Sequence, residues 1–206
     1  MDYKMIKNIS DVIDKSREYW IEVNNHYGIK DDLRIPFTVY DNINIIENYD
    51  TMKDIVYASR NAVMISLLFP AGDYNDDLDD DHQIVTEIAG GVFMSNESLY
   101  QMIISCKLDF DKVFECMKFS LLHELGHFID HFDNCMNKTV EEWNSFVNTN
   151  KEDYKQMPKL RRNASYEKRL EWYLLYNNIP VERRANEAVG ITEEDIIKDF
   201  KCTHHK

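Results

Sequence analysis

Two histidines four residues apart, with an acid between them, are the side chains of this 206-residue chain best placed to do chemistry: His123-Glu124-Leu125-Gly126-His127. On an α-helix, residues four apart share a face, so both imidazoles reach one point. Neutral imidazole nitrogen is a zinc ligand at about 2.0–2.1 Å, and a catalytic zinc takes a third protein ligand and keeps one position open. Glu124 adjoins a ligand, within reach of a water at that open position, which is where a general base belongs. Two surface histidines on an amphipathic helix produce the same pattern. The setting favours metal, because the motif lies mid-helix in a long apolar segment. Paired histidines and an acid are costly to bury there unless satisfied.

The element that must carry the motif shows in the hydrophobic periodicity. Val113, Phe114, Met117, Leu121, Leu125, Phe128 and Phe132 recur at spacings of three and four and form an apolar stripe. Cys116, Ser120, His123, His127 and His131 make a separate row. Asp109 or Asp111 is suited to cap the start. Gly126 costs a helix about 1 kcal/mol against Ala. Its missing side chain leaves room for a neighbouring element on the metal side.

The third ligand of such a site is commonly a carboxylate. Glu182 is the first choice. It falls in the first turn of a predicted helix, with Asn178 as cap, Pro180 in the first turn and Gly190 at the end. Ala185, one turn on, permits close packing against the motif helix, and Asn186 shares the face of Glu182. His131 competes, but three ligands in one straight helical row do not readily surround a tetrahedral ion. Asp133 stands where a metzincin has its third ligand, although Asp130 replaces the glycine that turns the chain there. Glu167 and Glu171, on the preceding helix, remain open as well.

The rest of the chain reads as a mixture of helices and a few strands. Residues 8–27, 50–60, 97–106, 140–147 and 165–177 are predicted helices, and Thr192 with Asp195 begins a last one. Thr139 with Glu142 is a capping-box pattern. Residues 35–41, 62–69 and 83–95 are predicted strands, with Gly90-Gly91 as a bulge or close-approach point. Residues 148–163 read as a loop, and the terminal His204-His205 as a frayed tail. Asp73, Asn75, Asp77 and Asp79 imitate alternate ligands of a calcium loop. Leu78 and Ile84 occupy the positions that need Gly and Glu, so an acidic hairpin loop is expected instead. No internal repeat and no interdomain linker is visible, which suggests one domain over 1–206.

Composition narrows the function classes. With 37 acidic against 24 basic side chains the net charge is −13, which opposes nucleic-acid binding by the surface as a whole. The acid excess lies before residue 150, whereas 151–184 is net basic, as expected of a solvated helical face. No apolar run has the length of a membrane span. Met1-Asp2-Tyr3-Lys4 lacks the apolar core of a signal peptide, so a cytoplasmic setting is expected. The four cysteines, Cys106, Cys116, Cys135 and Cys202, form no C-x-x-C pair and read as free, partly buried thiols.

His123-Glu124-Leu125-Gly126-His127 followed by Glu182-Arg183-Arg184-Ala185-Asn186 resembles the compact gluzincin-type metallopeptidases of the ImmA/IrrE kind and their phage-borne relatives, which pair H-E-L-G-H with a later E-x-x-A-N. The resemblance covers roughly residues 83–190 in order of elements and rests on the two motifs. It implies His123, His127 and Glu182 as Zn2+ ligands and Glu124 as catalytic acid/base. It also implies a minimal zincin-like fold, with 134–165 as an insertion.

The expected architecture is therefore α+β, a small mixed β-sheet packed on helices with the motif helix beneath it. The strand before the motif would be the edge that pairs with an extended peptide. The expected activity is zinc-dependent hydrolysis of a peptide or protein substrate, with no nucleic-acid or membrane partner. Tyr166, Tyr173, Tyr176 and Arg183 are candidates for an oxyanion donor. The alternative is a catalytically silent zinc-binding module that regulates or binds another protein. Retention of Glu124 speaks against it, since a structural zinc needs no base.

Overall fold

Helix α1, Tyr3–His26, opens the chain, and three strands follow: β1 Phe37–Tyr40, β2 Ile65–Ala71 and β3 Glu87–Ser95. Six further helices complete it: α2 Asn96–Ser105, α3 Phe110–Cys135, α4 Val140–Lys155, α5 Tyr166–Asn177, α6 Pro180–Ala188 and α7 Glu193–Thr203. The structure, a computed structural model, describes residues 3–29, 36–40, 64–72, 79, 82–161 and 163–204. The predicted helix 50–60 and the calcium-like pattern, apart from Asp79, lie outside the described residues. Among the described residues the fold is α+β, mostly helical, with one small mixed sheet. No helix among them is long and apolar enough to cross a membrane.

The strand order is β1-β3-β2, and β1 runs parallel to β3 with Phe37 opposite Val92 and Tyr40 opposite Ser95. That order corrects one expectation. β3 is the central strand, flanked on both sides, so it is not an edge that an extended peptide could join. β2 is at an edge, which explains how it continues through Pro70 to Ala71: an edge strand can do without one N–H. β3 also begins later than residue 83. Residues 83–85 hydrogen-bond the turn between α3 and α4 instead, through Val85 N to Lys138 O, Asn137 N to Val85 O and Val140 N to Gln83 O.

The chain divides into two compact units, Met1–Leu67 with Gly91–Glu124, and Leu68–Gly90 with Leu125–Lys206. In the first unit α1 packs on β1. Its core includes Val12, Trp20, Phe37, Val92, Met94, Leu99, Ile103, Val113, Met117 and Leu121. In the second, α5 packs on α6 and α7, and α4 packs on α6. Val85, Leu125, Phe128, Trp143, Val181, Ala185 and Phe200 are buried there.

α3 follows from its sequence. The Asp109 carboxylate accepts from the Lys112 amide at 3.2 Å and caps the start. Val113, Met117, Leu121, Leu125 and Phe128 are buried along one stripe, whereas Phe132 ends on the surface. α4 is eight residues longer than predicted. Its Thr139–Glu142 capping box forms, but the polar stretch after residue 147, read as loop, continues the helix to Lys155. α6 starts without a side-chain cap: its N-cap is Ile179, and Asn178 instead donates to the Leu174 carbonyl at the end of α5.

Candidate metal centre

Gly126 determines how near α6 can come to the motif helix. A Cβ at this position would collide with the Ala185 carbonyl oxygen. The two helices therefore touch backbone to backbone, which requires a glycine on one and a small residue on the other. Glu182, one turn before Ala185, is thereby brought to His127. Its carboxylate is 1% exposed, and Oε2 stands 3.6 Å from His127 Nε2. His123, one turn earlier on the same continuous helix, completes the group: His123, His127 and Glu182 offer ligand atoms that all lie within 4.8 Å of one another. Glu124, between the histidines, is buried at 7% exposure.

These residues fit a zinc ion by their chemistry and spacing. Ligand atoms about 2.0–2.2 Å from one tetrahedral ion stand about 3.3–3.6 Å from each other. The 3.6 Å between His127 and Glu182 lies in that range and beyond a good N–H···O hydrogen bond. Two imidazoles and one carboxylate are also the donor set of a catalytic site, which leaves a fourth position.

Two tyrosine hydroxyls converge on the other oxygen of Glu182. Tyr176 of α5 donates to Oε1 at 2.7 Å, and Tyr154 of α4 donates to the same atom. The aromatic rings pack in a row, Tyr154 to Tyr176 at 6.1 Å between centroids and Trp172 stacked on Tyr176 at 5.6 Å. Of the four expected oxyanion candidates only Tyr176 is placed here. The Tyr173 hydroxyl donates to Asp199, and burial and that carboxylate push its pKa well above the ordinary value. Tyr166 packs edge-on against Phe200, and Arg183 faces solvent beside Glu187. Tyr154 was missed, because its segment reads as loop; the Thr139 capping box upstream was the signal that a helix starts there.

The rival ligands are placed elsewhere. His131 turns its Nδ1 to the His127 carbonyl at 2.8 Å, with its ring against Trp143 and Phe146. Burial lowers its pKa to about 4, so it stands neutral against those rings. Asp133, Glu167 and Glu171 are exposed. Asp130 is buried and accepts from Arg184 Nε at 2.9 Å, while Arg184 Nη2 donates to Asn150 at 2.7 Å. This bridge joins α6 to α3 and α4. Asn186 is buried on the face of Glu182 and donates to Asn177 of α5 at 3.2 Å. None of the four cysteines forms a disulfide, and the Cys106 and Cys116 Sγ atoms stand 3.9 Å apart in the first unit. No protein-family model, curated protein or solved structure matches this chain.

Proposed function

We propose that the protein is a zinc-dependent metallopeptidase of the compact gluzincin type, with a zincin-like active-site helix. The observation that carries this reading is the convergence of His123, His127 and Glu182 within 4.8 Å, from two helices that a glycine allows to touch. His123 and His127 would hold the ion through imidazole nitrogen, and Glu182 through Oε2. Zinc held there would supply Lewis acidity towards a peptide carbonyl and would lower the pKa of a bound water from 15.7 towards about 7. The Glu124 carboxylate is the base that takes a proton from the attacking water and gives it to the departing amine nitrogen. Burial of Glu124 restricts its motion and removes competing water, which suits both transfers.

Metal analysis together with cleavage of a peptide library tests this. Wild type is expected to hold one zinc per chain and to cleave, and Glu124→Gln to hold zinc and not cleave. Metal in both with cleavage in neither would transfer the site to a binding or regulatory module. No metal in either would end the reading.

A further inference from the structure

The two tyrosines on Glu182 stand where a carboxylate's coordination mode is decided. Tyr154 and Tyr176 come from different helices, 28 and 6 residues away from Glu182 in sequence, and both donate to Oε1. A carboxylate oxygen has two lone-pair sites, and two phenol donors occupy both. Oε2, by contrast, is the oxygen directed at His127 Nε2, 3.6 Å away. The two oxygens of one side chain thus have separate duties, one held by protein hydroxyls and one presented to the histidines.

We infer that Tyr154 and Tyr176 are positioning residues that make Glu182 a one-oxygen metal ligand, which keeps a coordination position open for water; this rests on the metal reading above. A carboxylate free to swing would offer both oxygens to the ion and fill that position. Hydrogen bonds to a ligating carboxylate also fix its orientation, and removal of such outer partners typically lowers metal affinity by about 10–100-fold. Neither hydroxyl is needed for the ring packing. Phenylalanine retains the contacts of Tyr176 with Trp172 and of the two tyrosine rings with each other.

The experiment uses chelator-stripped full-length protein as wild type, Tyr154→Phe, Tyr176→Phe and the double variant. Zinc is titrated against a competing chelator, and cobalt(II) is then loaded to saturation to record its visible absorption. Circular dichroism of the metal-free proteins establishes that each is folded; should the double variant not fold, the single variants carry the comparison. Each single variant is expected to bind zinc about tenfold more weakly and the double variant about a hundredfold. The cobalt absorption per ion should weaken as the second oxygen enters and the coordination number rises. Unchanged zinc affinity overturns the inference. So does weaker binding with an unchanged cobalt spectrum, because the hydroxyls would then only satisfy a buried carboxylate. A wild type that takes no zinc overturns the metal reading as well, whereas tight wild-type binding with unaffected variants overturns this inference alone.

Discussion

His127 and His131 are identical side chains one helical turn apart, and their neighbours give them different work. His127 faces a buried carboxylate, whereas His131 is spent on its own helix and on two aromatic rings. The same distinction separates Glu182 from the exposed acids around it, so its variants should differ from theirs. Glu182→Ala is expected to reduce zinc affinity steeply, and Glu182→Gln to reduce it as well, since a neutral amide is a poorer ligand. Glu124→Gln should bind zinc like wild type and lose only turnover. Zinc titration of the stripped variants checks this; tight binding by Glu182→Ala alongside weak binding by Asp133→Ala or His131→Ala would relocate the third ligand. Gly126→Ala probes the contact beneath the site. A helix would gain from the substitution, but here the methyl would enter the Ala185 carbonyl. Overpacking of this kind destabilises by about 1–3 kcal/mol. Urea unfolding at the metal-free state measures it, and a stabilised Gly126→Ala would mean that α3 and α6 do not touch.

At the scale of elements, α6 is held in place more by its partners than by its own start, which has no side-chain cap. Arg184 is the main tie, reaching Asp130 on α3 and Asn150 on α4 and lying over the Phe146 ring at 5.4 Å. Arg184→Met would leave the Asp130 carboxylate buried, with the Asn134 amide donating to one of its oxygens at 3.0 Å. Breaking a buried pair costs about 3–5 kcal/mol, and the part-exposure of Arg184 places the expected loss near the lower end. Denaturant midpoints of Arg184→Met and Asp130→Asn check it, with Asp130→Asn the milder of the two because the charge left without its partner is then on the part-exposed Arg184. α4 depends on its capping box. Thr139→Ala should lower stability by about 1 kcal/mol, and Thr139→Ser should restore most of it. If both match wild type, the cap does not govern where α4 begins.

For the whole molecule, the metal reading predicts a link between zinc and stability. A ligand that binds only the folded chain stabilises it by about 2.7 kcal/mol when present at a hundred times its Kd. Thermal unfolding of wild type should therefore move upward with added zinc and downward with chelator. Glu182→Ala should show neither shift at the same concentrations, and an equal shift in both proteins would assign the stabilisation to some other site. The net charge of −13 contributes a field that attracts cations and repels anionic polymers.

Spacing along the chain was enough to put His123 and His127 on one helix face, to mark Gly126 as a place of close approach, and to place Ala185 of a following helix as the small residue that meets it. Those inferences need only the 3.6-residue period and the size of side chains, both of which are local. The Thr139 and Thr192 capping boxes were visible for the same reason. Local rules did not reveal that α4 continues past residue 147, because a polar helix end is retained by what it meets: Asn150 meets Arg184 and Tyr154 meets Glu182. Nor could they choose Tyr176 over Tyr173, which stand three residues apart on α5 and differ in whether α6 or α7 receives the hydroxyl. The central position of β3 and the pairing of Asp130 with Arg184, 54 residues away, belong to the same class. Contacts between distant segments leave no period in the sequence; they exist only after the helices have packed and each buried polar atom has found the partner within its reach.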